Sequence, residues 1–424
     1  MGVGAAGVPG SAVSSKAVRR PFSFGRLFGG TWLAYTSYGI LLAVLPLAEL
    51  SEGGGPILAT LVLGAPLLAQ TLSSWAWGWL ADRTGARRAP LVLATVLQAP
   101  LFLAFPLLGP LALFSVRIVQ SALFGALVLA TTQATEERSD TAAFRLGRLQ
   151  LAQNGGMLLG VGAAFPLLIG TGFQLRSLAG WELSALLAVF VGLAALVFTF
   201  AGDIPRTATT STALAEFSPR SHPGVFWLAG ATAATSTFRY IVVAAVPVYL
   251  ASTLGRNGFF GVPTNTTAQL AIWVACSSAL NIAASPFSGR WADTTSTRRR
   301  SLLFFAFLYA AIWAAIAASP TYLVVFGVWI LPVAVFFTVA GVREAAFQSR
   351  EAERGRAVGL LTAAFNLGGL LGGAAAGILL ASAVSVPGVF LIATVGSLGS
   401  AFLFLPHFYG KAGPVEETQA RSAG

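Results

Sequence analysis

Apolar runs of about twenty residues recur along the whole chain, and they constrain its fold more than any other feature. One of them includes STFRYIVVAAVPVYL at residues 236–250. Of the 424 residues, 56% are hydrophobic and only 10% are charged. A water-soluble core cannot use so much apolar sequence, whereas a helix needs about twenty apolar residues to cross a bilayer. The sequence therefore predicts an all-α membrane protein.

The apolar runs predict twelve transmembrane helices. The expected spans are 28–49, 57–81, 90–109, 111–135, 147–170, 183–202, 224–250, 267–292, 301–319, 321–342, 358–382 and 387–406. Four spans contain an interior proline, which transmembrane helices tolerate because neighbouring groups re-satisfy the freed carbonyls. These prolines are Pro46, Pro166, Pro247 and Pro332.

Lysine and arginine are distributed unevenly between the two sides of the predicted membrane. With an even number of spans, 22 of the 26 fall on the side that holds both termini. This asymmetry follows the positive-inside rule, so both termini are expected in the cytoplasm and the protein in the plasma membrane. The net charge of +11 then reflects topology, and no nucleic-acid partner is expected. The partners expected are the lipid bilayer and a small-molecule substrate, with the protein a monomer.

Cysteine and histidine are too rare to support a metal or redox site. The chain has one cysteine, Cys276, and two histidines. These exclude a disulfide framework and argue against a Cys/His metal site, so no cofactor is expected. No nucleophile and base are paired in the membrane in a way that predicts an enzyme.

The second half of the chain repeats the first. SSWAWGWLADRTGARR after the second span matches ASPFSGRWADTTSTRRR after the eighth at an offset of 211, and NGGMLLG matches NLGGLLG at an offset of 212. The sequence therefore predicts two six-helix halves related by a pseudo-twofold axis. The expected boundaries are a disordered tail at 1–26, a first half at 27–202, a linker at 203–223, a second half at 224–408 and a tail at 409–424.

The loop after the second span resembles the signature of the major facilitator superfamily. In GWLADRTGARR the match consists of Gly78, Asp82, Arg83 and Gly85, with arginines following. The resemblance implies the twelve-helix fold of this family and a gate in which Asp82 contacts the start of span eleven. RIVQSALFGA in span four is similar to a second family pattern. The residues assigned to the gate are Gly78, Asp82, Arg83, Gly85, Arg87, Arg88, Asp293, Arg117 and Gln120. The loop arginines also fit a simpler interpretation as topology markers.

Polar side chains of five spans converge on a predicted cavity between the halves. In span seven, Thr232, Ser236 and Arg239 share one helical face, and Tyr38 aligns with Arg239 when the two spans are matched through their prolines. The predicted substrate-binding residues are Arg239, Tyr38, Tyr35, Ser236, Thr232, Gln150, Gln153, Asn154, Trp273, Ser277, Asn281 and Asn366. For each hydroxyl and amide the alternative is a hydrogen bond that joins two helices.

Arg239 is the exception, because it is a permanent charge near the middle of a span. All 15 acidic residues can be assigned to span ends, loops or tails, so none is left at mid-depth to pair with it. An anionic ligand is therefore a natural partner. RYIVVAAVPVYL is similar to the seventh helix of organophosphate:phosphate exchangers, but Tyr38 replaces their second arginine, which favours a singly charged or polar solute. Arg117, nearer the outer face, is expected to extend towards water.

These observations predict a secondary transporter for a small organic solute, anionic or polar, that works by alternating access. The span-four pattern keeps a multidrug/proton antiporter open as an alternative, and a substrate sensor or a helical channel are further ones. Glycine pairs in spans five and eleven favour moving halves over a fixed pore. No mid-depth carboxylate is visible, so exchange or facilitated movement is favoured over proton symport, with Glu49 as the remaining candidate acid.

Overall fold

The computed structural model describes residues 22–84, 86–136, 142–168, 175–203, 218–252, 266–292, 295–319, 321–349, 354–382 and 384–406. All regular elements in these ranges are helical. The α-helices are α1 (Phe24–Ser51), α2 (Gly55–Thr84), α3 (Arg88–Ala104), α4 (Pro110–Phe124), α5 (Val128–Glu136), α6 (Ala142–Leu168), α7 (Leu178–Thr199), α8 (Pro223–Ser252), α9 (Thr266–Trp291), α10 (Thr295–Ala318), α11 (Tyr322–Trp329), α12 (Val333–Phe347), α13 (Arg354–Ala381) and α14 (Val386–Phe402).

These helices confirm the predicted all-α membrane fold. In the described ranges, 11 helical segments are long and apolar enough to cross a membrane, and α14 is a shorter twelfth. The fourth segment joins α4 and α5 through a 3₁₀ turn at Gly125–Leu127, and the tenth joins α11 and α12. Consecutive segments run in opposite directions. We call the side holding the α2–α3 and α9–α10 connections the basic face, and the side holding the α1–α2 and α13–α14 connections the opposite face.

The four interior prolines do not behave alike. Pro46, Pro166 and Pro247 lie inside the continuous helices α1, α6 and α8, as expected. Pro332 instead separates α11 from α12, where it has φ −79° and ψ 28°. Proline lacks the N–H that would continue the ladder, and its ring crowds the carbonyl four residues earlier. The tenth span is therefore two helices rather than one.

The repeated glycines bring equivalent helices together inside each half. A Cβ added to Gly156 of α6 would meet the backbone nitrogen of Thr36 in α1 at 3.1 Å, and one added to Gly368 of α13 would meet that of Thr237 in α8 at 2.9 Å. Only glycine permits so close an approach of two backbones. The glycines thus have the same structural role in both halves. They allow span five to pack on span one in the first half, and span eleven on span seven in the second.

A second row of glycines on α13 packs against α2 of the other half. A Cβ at Gly64 would meet the Gly369 carbonyl oxygen at 2.7 Å and the Gly373 Cα at 3.3 Å. Nearby, the Asn366 amide nitrogen donates to the Thr71 hydroxyl at 2.6 Å. The Gly64 contacts lie in the half of the membrane next to the opposite face, and the Asn366–Thr71 bond lies near mid-depth. At the basic end of the same helices, a Cβ added to Gly78 or Gly359 meets nothing within 4 Å.

Burial along α9 follows the same gradient. Residues 267–271 and 273–274, near the opposite face, are all buried. Further towards the basic face, Leu280 is 39% exposed and Phe287 is 63% exposed. The two halves therefore meet tightly at the opposite face and are less closely packed towards the basic face.

Substitution of Gly64 by leucine should open the contact at the opposite face, because the new side chain would collide with the α13 backbone. We expect faster labelling of a cysteine placed at Leu47, a buried position near that face, by a membrane-impermeant maleimide in a Cys276→Ser background. Gly162→Leu is the matched control, since a Cβ there meets nothing within 4 Å. Equal labelling rates in the two variants would contradict the proposed closure.

Candidate substrate-binding site between the two halves

Arg239 lies near the middle of α8 with its guanidinium among aromatic rings. The guanidinium carbon is 5.4 Å from the ring centroid of Tyr240 and 5.4 Å from that of Phe365 on α13. The side chain is half-buried. Within the part of the chain that the structure describes, it makes no ion pair and no hydrogen bond. Cation–π contacts of this kind supply only about 0.5–2 kcal/mol, so the charge is not fully compensated.

Three tyrosines lie near this charge. Tyr38, Tyr240 and Tyr309 are all within electrostatic range of Arg239. The Tyr38 ring is stacked on Phe124 at 5.1 Å between centroids, and Tyr35 packs edge-on against Tyr38 at 5.8 Å. The structure thus brings the predicted residues Tyr35 and Tyr38 of the first half close to Arg239 of the second half.

Arg117 does not extend towards water as expected. Its side chain is only 4% exposed, and the guanidinium lies over the Tyr38 ring at 5.6 Å from the centroid. It donates to Gln120, whose amide nitrogen in turn donates to the Gln98 carbonyl oxygen at 2.8 Å. Burial under neighbouring helices prevents the extended conformation. Arg117 and Gln120, assigned to the gate from sequence, therefore lie beside the candidate site.

Three predicted site residues form hydrogen bonds to other groups of the protein. The Ser236 hydroxyl donates to the Phe365 carbonyl at 2.7 Å, and the Asn366 amide bonds to α2 of the other half, as described above. These two bonds join helices, which is the alternative that the sequence left open for hydroxyls and amides. The Asn154 amide donates to the Gln150 carbonyl of its own helix at 2.9 Å.

Trp273 lies away from Arg239. It is fully buried, and its indole nitrogen donates to the Tyr322 hydroxyl at 2.8 Å in a cluster with α11. The Asn281 carbonyl oxygen is buried and has no hydrogen-bond partner. The side chains of Gln150, Gln153 and Ser277 are half-buried.

A small apolar cleft lies on the basic-face side of the arginine. It has a volume of about 70 Å³ and lies between α8, α12 and α13. The lining residues are Thr232, Phe337, Thr338, Gly341, Val342, Leu361, Thr362 and Phe365. Phe365 closes the cleft on one side and carries the Arg239 guanidinium over its ring. The buried Thr232 hydroxyl has no hydrogen-bond partner.

The predicted gate is described only in part. Gly85, Asp293 and the side chain of Asp82 lie outside the described residues. Gly78 has no neighbour within 4 Å of an added Cβ, and Arg83 lies over the Trp79 ring at 5.3 Å. The proposed contact of Asp82 with span eleven stays a prediction.

An acid that the sequence analysis did not single out organises the loop of the first half. Asp203, after α7, accepts the backbone N–H groups of Arg87 and Arg88 at 3.0 and 2.8 Å. The Gln133 amide nitrogen lies 3.3 Å from the same oxygen. Asp203 thus binds the positive N-terminus of α3, where backbone N–H groups lack helical partners.

In the second half, the equivalent loop is held by a different acid, Glu344 of α12. Its two oxygens accept Arg298 Nε at 2.6 Å and Arg299 Nε at 2.9 Å, and Gln348 donates to it at 2.7 Å. The repeat offset of 211 aligns Glu344 with Gln133 and the two arginines with Arg87 and Arg88. That alignment was a signal that could have identified Glu344 and Gln133 from sequence, but it does not identify Asp203.

One further acid lies inside a span without a partner. Glu49, near the opposite-face end of α1, is fully buried, and neither carboxylate oxygen has a hydrogen-bond partner. Its neighbour Glu52 pairs with the exposed Arg176 at 3.4 Å. Glu49 and Arg239 are on different parts of the fold, so Glu49 does not compensate the arginine.

Comparison with known proteins assigns the fold and the family. The sequence profile of the Major Facilitator Superfamily matches residues 27–264 and again 228–423. The chain therefore belongs to the major facilitator superfamily, a class of multi-pass membrane transporters for small molecules rather than enzymes. The two matches agree with the two halves of the fold.

Solved structures of this class are similar over most of the chain. The nucleoside transporter NupG aligns with a TM-score of 0.66 and 17% identity over 92% of this chain and 99% of its own. The human organic anion transporter MFSD10 (TETRAN) gives 0.65 and 14% over 90% and 98%. FucP, in the outward conformation, gives 0.61 and 13% over 91% and 98%. No curated protein sequence matches the chain. At these identities the likeness concerns the fold alone.

Glu344→Gln should destabilise the protein strongly, because it removes the buried carboxylate that accepts hydrogen bonds from Arg298 and Arg299. Loss of one partner from a buried ion pair costs about 3–5 kcal/mol. Glu52→Gln is the control, since its pair with Arg176 is exposed on the arginine side and worth about 0–1 kcal/mol. The melting temperature in detergent should therefore fall much further for Glu344→Gln. Equal decreases in melting temperature for the two variants would show that the buried cluster does not anchor the loop.

Proposed function

We propose that the protein is a secondary transporter that moves a small organic anion across the plasma membrane by alternating access. The observation that carries this proposal is Arg239, a half-buried guanidinium in the middle of α8 with no described carboxylate to pair with it. A charged residue at the centre of a span costs about 2.5–3.5 kcal/mol on insertion scales. A bound anion removes that cost only while the substrate is present, so the charge serves recognition rather than folding.

The chemistry of arginine suits this role. Its planar guanidinium can donate two parallel hydrogen bonds to one carboxylate and remains charged at every physiological pH. Rings of Tyr240 and Phe365 hold the group from two sides, which fixes the direction of its remaining donors. Among the structural neighbours, MFSD10 is described as an organic anion transporter. That description supports the possibility of anion transport on this fold.

The packing of the two halves supports alternating access. The closed side is the opposite face, and the cleft below Phe365 opens from the basic face. If the basic face is cytoplasmic, as the charge asymmetry indicates, this conformation faces inward. Transport then requires the α2–α13 contact at Gly64 to open while the basic side closes. Exchange or facilitated movement fits this site best, because no described carboxylate lies beside Arg239.

A second candidate function is proton-coupled efflux of lipophilic compounds. The observation in its favour is Glu49, whose buried and unpartnered carboxylate is the kind of group that proton antiport uses. Aromatic rings around the central site would also suit lipophilic cargo. A proteoliposome assay distinguishes the two functions, since efflux of neutral or cationic compounds would survive the loss of Arg239. A sensor of the same fold would bind solute without moving it.

Arg239→Ala should abolish transport of organic anions, and Arg239→Lys should weaken it, because an ammonium cannot grip a carboxylate with two parallel bonds. Anion uptake into proteoliposomes and the melting temperature should be measured together. Because an uncompensated charge is removed, the alanine variant is expected to fold and to melt at an equal or higher temperature. Arg176→Ala, which changes an exposed arginine at the opposite face, is the control. Native transport rates in Arg239→Ala would refute the proposal.

A further inference from the structure

Arg117 is a second uncompensated cation in the membrane interior. It is only 4% exposed, and its Nε is buried without a hydrogen-bond partner. Its partners in the described part of the chain are neutral: the Gln120 carbonyl oxygen and the face of the Tyr38 ring. Gln120 is itself engaged with Gln98. A buried guanidinium held only by neutral groups lacks the counter-charge that such residues normally have.

The two uncompensated arginines converge on one residue. Arg117 lies over the ring of Tyr38, and Tyr38 is within electrostatic range of Arg239 as well. Arg117 belongs to α4 of the first half and Arg239 to α8 of the second half. Among the described acids, Glu344 binds loop arginines, and Glu49 and Glu52 lie further along α1 than Tyr38, at its opposite-face end. Two positive charges from different halves thus meet at Tyr38 with no acid of the described chain between them.

We propose that the substrate is an organic dianion with two separate acidic groups, one bound by Arg239 and the other by Arg117 beside Tyr38. This inference rests on the proposed function, and it replaces the expectation of a singly charged solute that Tyr38 suggested. A monoanion would leave one of the two cations without a counter-charge. A dicarboxylate compensates both and links the two halves through a single molecule.

The orphan Nε of Arg117 is the donor that such a second group would use. One terminal nitrogen already donates to Gln120, whereas the buried Nε is a donor without a hydrogen-bond partner in the described part of the chain. The Tyr38 hydroxyl can donate to the same ligand. Because hydrogen bonds between charged partners contribute about 1.5–3 kcal/mol, the second contact should improve affinity by about tenfold or more.

The experiment compares dicarboxylates with their own monoamides, which have nearly the same shape and one charge fewer. The probes are the series from malonate to adipate and the corresponding monoamides, such as succinate and succinamate. Binding to the full-length protein in detergent is measured by the rise in melting temperature with ligand concentration, because a ligand that binds the native state stabilises it by mass action. At least one dicarboxylate is expected to bind about tenfold more tightly than its monoamide.

Three variants assign the preference to residues. Arg117→Gln should bind the dicarboxylate and the monoamide equally, and Arg117→Lys should keep part of the preference because it keeps the charge. Arg239→Ala should bind neither probe, and Arg176→Gln should behave as the native protein. If Arg117 were only structural, its substitution would lower the affinity for both probes by the same factor and leave their ratio unchanged. The ratio of the two affinities therefore distinguishes a structural role from binding of the second acidic group. If Arg117→Gln does not fold, the same ratio of dicarboxylate to monoamide affinity is measured for Arg117→Lys. A ratio lower than that of the native protein supports the proposal, and an unchanged ratio contradicts it.

The outcomes separate this inference from the function on which it rests. If no dicarboxylate is preferred to its monoamide, or if Arg117→Gln keeps the native preference, the dianion proposal is wrong. Loss of monoamide binding in Arg239→Ala would then still support a transporter of single anions. If Arg239→Ala binds both probes as the native protein does, the proposed function fails as well.

Discussion

The uncompensated charge of Arg239 is the constraint on which the functional account depends. Lipid and packed helices offer an ion neither water nor mobile counter-ions, so an arginine at mid-span needs a partner or a hydrated cavity. The structure supplies aromatic rings of Tyr240 and Phe365 and a cleft on one side. These features hold the guanidinium in place without neutralising it. The proposed function follows from this arrangement, since an anion from outside the protein would supply the missing counter-charge.

Two acidic side chains at the basic face, in contrast to Arg239, have partners within the protein. Glu344 is fully buried, and both of its oxygens are occupied by Arg298, Arg299 and Gln348. In the first half, Asp203 accepts two backbone N–H groups at the start of α3. Each anchor is satisfied within the fold and stabilises a loop. The contrast between satisfied charges at the loops and unsatisfied ones at Tyr38 separates structural from functional groups.

Glycine determines how the halves pack and where they can part. Gly156 and Gly368 pack spans inside each half, whereas Gly64, Gly369 and Gly373 form the contact between halves near the opposite face. A contact made of backbone rather than interlocking side chains can open without rotamer changes. The same rows thus give a close seal and a surface that can separate during transport.

Sequence alone predicted the helical membrane fold, its spans and its internal repeat, because hydrophobic length and periodicity are local properties. It also singled out Arg239 and Tyr38. Sequence did not reveal that Pro332 divides the tenth span, since three other interior prolines are tolerated. The sequence also predicted that Arg117 extends towards water. The depth of a residue in its span can be predicted from sequence, but the direction of a long side chain depends on the neighbouring helices. For the same reason, the sequence did not show that Trp273 donates to the Tyr322 hydroxyl and Ser236 to the Phe365 carbonyl.

Selectivity for charge tests the central claim most directly. The measurement is the ratio of uptake of an organic anion to uptake of a cation of similar shape, benzoate against benzylamine, in proteoliposomes of the native protein and of Arg239→Glu. If Arg239 provides the counter-charge for the substrate, the native protein prefers the anion and the charge-reversed variant loses that preference. An unchanged ratio in a folded Arg239→Glu protein would contradict the account.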